Sequence, residues 1–199
     1  GLVRFWGLGD VYKRLILAGV LLNSLESGTG GRPVGDAQGV SWLRDEDADL
    51  RAMLQALEEA RAASDDGEVP VGAVIIHPER GLIAKARNAK ETLQDPTAHA
   101  EILAICQAAE ALGSWRLEGC SLYSTLEPCP MCAGAILQSR IERVVFGASD
   151  SRWGAVDSKL RVLEPGLLNH DVDWRGGVLE TEASDLIRSF FRGIRDGTH

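Results

Sequence analysis

Two short segments, far apart in the chain, constrain the fold more than any other feature of this sequence. They read HAE at residues 99–101 and CPMC at residues 129–132. One imidazole and two thiolates form a ligand set suited to tetrahedral Zn²⁺. Three protein ligands leave the fourth position open for water, which is typical of catalytic rather than structural zinc sites. We therefore predict that the fold brings His99, Cys129 and Cys132 together around one zinc ion.

Glu101 follows the predicted ligand His99 by two residues, so its carboxylate is free to move protons beside the metal. Zinc lowers the pKa of water toward neutrality and so generates a nucleophile. Taken alone, C-x-x-C also occurs in zinc knuckles and redox pairs, and H-x-E occurs by chance. Both segments in this order, each at the first turn of a predicted helix, favour a catalytic metal site.

The hydrophobic pattern predicts strands alternating with helices, and hence a three-layer α/β domain. A first helix begins near residues 45–47, because Leu50, Leu54 and Leu57 recur at helical spacing. Strands are predicted at VGAVIIH, LIAKARN, CSLYSTLE, RVVFGA and, more weakly, GGVLET. Further helices are predicted at DPTAHAEILAICQAAEAL, where Pro96 and Thr97 set the start, and at PMCAGAILQS and EASDLIRSFFRGIR.

The sequence predicts two parts, an N-terminal extension with a flexible linker at 1–45 and a zinc-dependent domain at 46–199. The extension contains KRLILAGVLLNSL, whose apolar run is too short to span a bilayer. The Gly-rich stretch ESGTGGRPVGDAQG is typical of a flexible linker. The sequence therefore predicts no membrane association.

The four cysteines do not form a disulfide framework at this chain length. Cys129 and Cys132 are assigned to metal, whereas Cys106 and Cys120 lie in apolar segments and are predicted to be buried thiols. This usage favours a reducing, cytoplasmic location.

The net charge of −8 argues at first against a nucleic-acid partner. Residues 1–137 carry 12 basic and 19 acidic side chains, whereas residues 138–199 carry 9 and 10. Residues 138–199, whose basic and acidic side chains nearly balance, can still bind a polyanion. Its candidate residues are Arg140, Arg143, Arg152, Lys159 and Arg161.

Several stretches resemble the bacterial tRNA-specific adenosine deaminases of the cytidine deaminase-like superfamily. The stretches are EVPVGAV, DPTAHAEI, TLEPCPMCAGA, SRIERVVFGA and FFR. The resemblance implies a three-layer α/β/α cytidine deaminase-like fold with a mixed five-stranded sheet. It also implies hydrolytic conversion of adenosine to inosine at the wobble position (34) of a tRNA. The expected partners are a tRNA anticodon stem-loop and a second subunit in a homodimer, with one Zn²⁺ per subunit.

The same resemblance implies site residues. His99, Cys129 and Cys132 would bind zinc, and Glu101 would carry the proton. Substrate contacts are implied at six further positions: Asn88, Val71, Ala100, Asp150, Phe191 and Arg192. Because Phe190 and Phe191 are adjacent on a helix, they cannot share a face, so one is expected in the core and the other exposed.

Ser149 and Trp153 depart from the family pattern, which more often has basic residues there. Trp153 then has two interpretations, stacking on a base or packing at a dimer interface. Two other functions also stay open. One is a small-molecule nucleobase deaminase of the same fold, acting on guanine or on cytosine and cytidine. The other is a non-catalytic zinc subunit, although Glu101 would have no use in a purely structural site.

Overall fold

The computed structural model describes residues 41–197, with side chains from residue 46 onward. Residues 1–40 of the predicted extension and linker (1–45) lie outside the described residues, and the division at 45/46 remains a prediction. In chain order the elements are α1 (Ser41–Asp65), β1 (Gly72–His77), β2 (Gly81–Arg87), α2 (Lys90–Leu93), α3 (Ala100–Leu112), β3 (Ser121–Leu126), α4 (Pro130–Gln138), β4 (Arg143–Ala148), β5 (Asp173–Arg175) and α5 (Glu180–Arg195). None of the helices in this described range is long and apolar enough to cross a lipid bilayer.

The five strands form one mixed sheet in the order β2-β1-β3-β4-β5. Strand β1 pairs antiparallel with both β2 and β3, whereas β3, β4 and β5 run parallel to one another. This arrangement confirms the predicted mixed five-stranded sheet. It also places the carboxyl ends of β2, β3 and β4 at the same edge as the amino end of β1.

Helices cover both faces of the sheet, which confirms the three-layer α/β/α architecture. On one face, Ala104 of α3 and Ile136 of α4 pack against the sheet through residues such as Ile75 and Leu122. On the opposite face, Met53 of α1 packs with Val74 and other sheet residues. Helix α5 joins that second face, where Leu57 of α1 meets Ala183. Strands buried on both faces explain the nearly continuous apolar runs in the sequence.

Three predicted boundaries are wrong. Helix α1 begins at Ser41 rather than near residues 45–47. The other two differences have local causes. The fifth strand is Asp173–Arg175 rather than GGVLET, because Gly177, at φ +84, turns the chain directly into α5. Helix α3 begins at Ala100 rather than near Pro96. The Asp95 carboxylate accepts hydrogen bonds from the Thr97 N–H at 2.8 Å and hydroxyl at 2.7 Å, so these residues form a turn before the helix.

The prediction of two buried thiols is correct for one of them. Cys120 is buried, whereas Cys106 is exposed. Helix α3 buries Ala100, Ala104 and Ala108 against the sheet. On the helical wheel Cys106 lies on the side opposite these three alanines and therefore faces outward.

A buried carboxylate attaches α1 to the sheet. Asp49 is 1% exposed and accepts hydrogen bonds from Arg143 at 2.7 and 3.0 Å, from the Tyr123 hydroxyl at 3.0 Å and from Arg175 at 3.2 Å. Burial and the nearby Asp49 charge raise the pKa of Tyr123 to about 12, so its hydroxyl stays protonated and donates. The helix is thus fixed to β3, β4 and β5 at one point.

Replacing Asp49 by alanine is expected to lower the free energy of unfolding by about 3 kcal/mol, because the two arginines and the tyrosine lose their shared acceptor. Chemical denaturation monitored by circular dichroism measures this change. Asp173→Ala is the matched control, since its carboxylate is 79% exposed and lies 3.5 Å from the same Arg143. The control is expected to cost less than about 0.5 kcal/mol. Equal losses in the two variants would contradict the anchoring role of Asp49.

Candidate metal centre and active site

The three predicted zinc ligands meet at one point. The Cys129 and Cys132 sulfurs are 3.6 Å apart, and the His99 Nδ1 lies 3.7 Å from the first and 3.6 Å from the second. Within the described part of the chain, these residues form a His/Cys group able to hold a metal ion. The fold therefore unites the two segments that the sequence analysis singled out.

The positions of the ligands follow from the starts of two helices. His99 is the N-cap of α3 and Cys129 is the N-cap of α4, both with extended backbone angles. Pro130 occupies the first position of α4, where its fixed φ suits a helix and its missing N–H costs no hydrogen bond. Because helix N-termini carry partial positive charge, the two ends stabilise thiolates between them.

The ligand geometry fits zinc. In a tetrahedral site with Zn–S of about 2.3 Å and Zn–N of about 2.0–2.1 Å, two sulfurs lie about 3.8 Å apart and a sulfur and a nitrogen about 3.6 Å apart. The three distances observed here, 3.6, 3.6 and 3.7 Å, agree with these values. No side-chain movement is needed for His99, Cys129 and Cys132 to hold the ion.

The two thiols differ in their proton affinity. A hydrogen bond shared with Cys132, together with the neighbouring His99, lowers the pKa of Cys129 to about 4. The same hydrogen bond and burial raise the pKa of Cys132 above its usual range. One proton thus stays with the sulfur pair in the metal-free protein, and metal binding displaces it.

Glu101 lies in the first turn of α3, two residues after His99, and is 3% exposed. Burial raises the pKa of its carboxyl group above the usual range. Its side chain lines the same cavity as His99 and Cys129. The carboxyl group is thus in position to exchange protons with a molecule bound beside the metal ligands.

The metal ligands open into a cavity of about 610 Å³ at the edge where β2, β3 and β4 end and β1 begins. A ligand site outside the carboxyl ends of parallel strands is usual in α/β sheets. The predicted substrate contacts Asn88, Val71 and Asp150 line this cavity. Ala100 is fully buried in the core and is absent from the residues that line the cavity. Substrate contact at these four positions remains a prediction.

Asn88 is oriented by a buried acid that the sequence analysis did not select. The Asn88 side-chain amide donates to Glu68 at 3.0 Å, and Glu68 also accepts the Thr92 N–H at 2.7 Å. Burial by itself would raise the pKa of Glu68, but the hydrogen bonds from Thr92 and its neighbours lower it. A charged Glu68 therefore fixes the Asn88 amide at the cavity wall.

A second buried acid, Glu127, holds the loop that follows β4. Its carboxylate accepts main-chain N–H groups of Asp150 at 3.0 Å, Val156 at 3.1 Å, Asp157 at 2.8 Å and Ser158 at 2.9 Å, and also the Ser158 hydroxyl. Burial by itself would raise the pKa of Glu127, but the hydrogen bonds from Asp157 and Ser158 lower it. The cavity wall formed by this loop is thus fixed from beneath by one charged group.

A second cavity, of about 760 Å³, adjoins the first and is bounded by α5. Phe191 and Arg192 line it, as do further arginines at positions 152, 188 and 195. Phe190 is 3% exposed and Phe191 is 43% exposed, which confirms that one of the two lies in the core and the other outside. Their rings meet edge to face at 5.5 Å. The predicted substrate roles of Phe191 and Arg192 remain predictions at this second cavity.

Glu68 and Glu127 are the residues that sequence reasoning missed. Both occur within motif stretches, EVPVGAV and TLEPC, as single acids among apolar residues and prolines. An acid in such a setting is the signal that could have found them, because a buried carboxylate must be matched by donors.

Comparison with known proteins agrees with the geometry. Residues 46–148 match the family described as cytidine and deoxycytidylate deaminase zinc-binding region. The tRNA-specific adenosine deaminase of Bacillus subtilis is 48% identical over 143 residues, which cover 72% of this chain and 88% of that protein.

Two solved structures extend the comparison. One comes from a study of A-to-I editing by tRNA:A34 deaminases at the wobble position. It has a TM-score of 0.65 and 46% sequence identity, and the match covers 68% of this chain and 98% of the chain in that structure. Another is a protein in complex with 8-azaguanine, with a TM-score of 0.63 and 27% sequence identity. That match covers 71% of this chain and 83% of the chain in that structure. The matched family, the identity and the zinc-fitting ligand geometry together show that this chain belongs to the tRNA-specific adenosine deaminase family of zinc-dependent deaminases.

Proposed function

We propose that this protein hydrolytically deaminates adenosine to inosine at the wobble position (34) of a tRNA. The observation that carries the proposal is the pairing of two adjoining cavities. One is lined by the metal ligands His99 and Cys129 and by Glu101, and the other is lined by arginines and aromatic side chains. A deaminase for free bases needs only the first, whereas a deaminase for RNA also needs a surface for the strand beside the target.

The chemistry replaces the amino group of adenosine by oxygen from water and releases ammonia. When bound by His99, Cys129 and Cys132, Zn²⁺ supplies Lewis-acid chemistry that makes water nucleophilic near neutral pH. Glu101 takes a proton from the attacking water, delivers it to a ring nitrogen and then helps protonate the departing ammonia. Asn88, fixed by Glu68, positions the nucleoside in the cavity.

The second cavity fits single-stranded RNA. Anticodon loops present unpaired bases, which can be splayed into a pocket at low cost. Arginines track the phosphate backbone, and exposed aromatic rings stack on bases. Arg152 and Arg192 supply charge along this cavity and Phe191 supplies a half-exposed ring. These groups support an RNA substrate despite the net negative charge of the chain.

The proposal extends to assembly and location. We propose that the protein acts as a homodimer in the cytoplasm. Its free cysteines and thiolate metal site suit a reducing compartment. Sedimentation velocity of the purified protein tests the dimer directly.

A small-molecule purine deaminase is the second candidate, favoured by the likeness to a protein that was solved with 8-azaguanine. Under that alternative, α5 would serve as a lid over a closed pocket. The open, arginine-lined cavity beside α5 favours RNA instead.

The deciding experiment incubates zinc-quantified protein with a tRNA that carries adenosine at position 34, and in parallel with free adenosine, cytidine and guanine. We expect inosine in the tRNA and no ammonia from the free compounds. Ammonia from guanine or cytidine, with unmodified tRNA, would assign the protein to the small-molecule class.

Replacing Arg192 by glutamine is expected to weaken binding of the stem-loop and to reduce the slope of log K against log salt by about 1. The reason is that one phosphate contact, and its released counterion, is lost. Fluorescence anisotropy across a salt series measures the slope. Arg116→Gln is the control, because this exposed arginine packs on Trp115 in the loop before β3, away from the second cavity. A slope unchanged in Arg192→Gln would show that Arg192 makes no phosphate contact.

A further inference from the structure

Trp153 is the most exposed large hydrophobic side chain in the described part of the protein, at 68%. It lies on the loop after β4 and lines both the cavity with the metal ligands and the second cavity along α5. Three other residues also line both cavities: Val69, Leu126 and Asp150. The indole therefore stands at the boundary between the two cavities.

The backbone beneath the indole is fixed. The Asp150 carboxylate accepts the N–H groups of Arg152 at 2.8 Å and of Trp153 at 3.2 Å. Gly154 donates its N–H to the Asp150 carbonyl at 2.8 Å and lies so close to Glu127 that a Cβ there would overlap the carboxylate. An exposed ring on such a constrained loop loses little backbone freedom when a ligand covers it.

The boundary between the two cavities is also where the nucleotides on either side of a flipped nucleotide must lie. When one nucleotide turns out of its stack into a pocket, the adjoining bases remain at the pocket mouth and lose a stacking partner. An indole offers a large apolar face that replaces that partner and accepts any base. The arginines of the second cavity then lie where the continuing phosphate backbone would pass.

We propose that Trp153 is a stacking platform for the base immediately next to the adenosine that is deaminated. This proposal rests on the proposed function, because it takes the substrate to be a polynucleotide. It assigns Trp153 a role in substrate binding and in the choice of flanking sequence, with no part in proton transfer or metal binding. Its loss should therefore affect KM much more than kcat.

The test uses anticodon stem-loop RNAs in which 2-aminopurine replaces the base on one side of the target adenosine, and then the base on the other side. The wild-type protein is expected to quench 2-aminopurine fluorescence at one of the two positions. Trp153→Phe should retain part of the quenching and Trp153→Ala should lose it. With unmodified RNA, we expect Trp153→Ala to raise KM about tenfold with kcat changed less than about threefold.

An abasic site at the quenched position provides the decisive comparison. Removing the base should erase the KM difference between wild-type protein and Trp153→Ala, because the partner of the indole is gone. Trp115→Ala is the matched control, since Trp115 is also largely exposed but lies in the loop before β3. This control should behave as wild type with every RNA.

Three outcomes would overturn the proposal: equal quenching by wild type and Trp153→Ala, a KM difference that persists with abasic RNA, or loss of the dimer in Trp153→Ala. The last would assign the indole to a subunit interface. Failure of the proposed function looks different. In that case the wild-type protein forms no inosine, whereas quenching that depends on Trp153 would still establish the stacking contact.

Discussion

Replacing Glu101 by glutamine is expected to lower kcat about 10⁴-fold while zinc content stays at that of the wild-type protein. General acid–base catalysis contributes a rate enhancement of about 10²–10⁴-fold. Because Glu101 is assigned several successive proton transfers, we expect its contribution at the upper end of that range. Glutamine keeps the size and polarity of the side chain but can neither take up nor release the proton. Single-turnover deamination of the stem-loop, with metal analysis of the same samples, measures both quantities.

The expected loss is not a folding effect. Glu101 is almost fully buried and burial disfavours its charged form, so a neutral isostere of the same shape removes a desolvation cost. The control is Glu110→Gln, which changes an exposed carboxylate on the same helix α3 and should leave kcat unchanged. If Glu101→Gln retained activity within tenfold of wild type, another group would have to carry the proton.

The second large effect is expected for Cys132→Ser, which should lower zinc affinity at least about 100-fold and abolish deamination. Changes in groups that merely support a metal ligand already cost about 10–100-fold in affinity, so loss of a ligating thiolate should cost more. Serine has the same shape as the fully buried cysteine and is slightly smaller, and its hydroxyl is a much poorer ligand at neutral pH. Metal analysis after dialysis against a chelator measures the affinity.

Cys106→Ser is the matched control for the zinc experiment. Cys106 is an exposed thiol, separate from the metal ligands, so this variant should retain its zinc and its activity. Full zinc occupancy in Cys132→Ser would show that the ion is held without that sulfur. Such a result would contradict the three-ligand assignment.

The metal centre was predictable because its information is local. Residue type and spacing name the ligands His99, Cys129 and Cys132, and the strand-to-helix pattern places both segments at helix starts. The hydrophobic pattern likewise gave the first four strands, since β1, β3 and β4 are buried runs of six residues and β2 alternates between buried and exposed side chains. Strand β5 has only three residues, and no period can be read from so short a segment.

The acids Glu68 and Glu127 could not be predicted in the same way. A charged residue is normally solvated, and whether it is buried depends on donors contributed by other segments. Thr92 donates to Glu68, and Ser158 donates to Glu127, and each donor lies more than 20 residues along the chain from its acceptor. Only the folded chain brings these donors and acceptors together.

The way in which Glu127 holds its loop makes the path of the loop depend little on the side chains at positions 152 and 153. Four of its five hydrogen bonds come from main-chain N–H groups, which every residue except proline provides. Side chains such as Arg152 and Trp153 can therefore be exchanged while the backbone keeps its course. Under the proposed role of Trp153, the preference for the flanking base can evolve, or be engineered, one side chain at a time on a scaffold that does not have to be rebuilt.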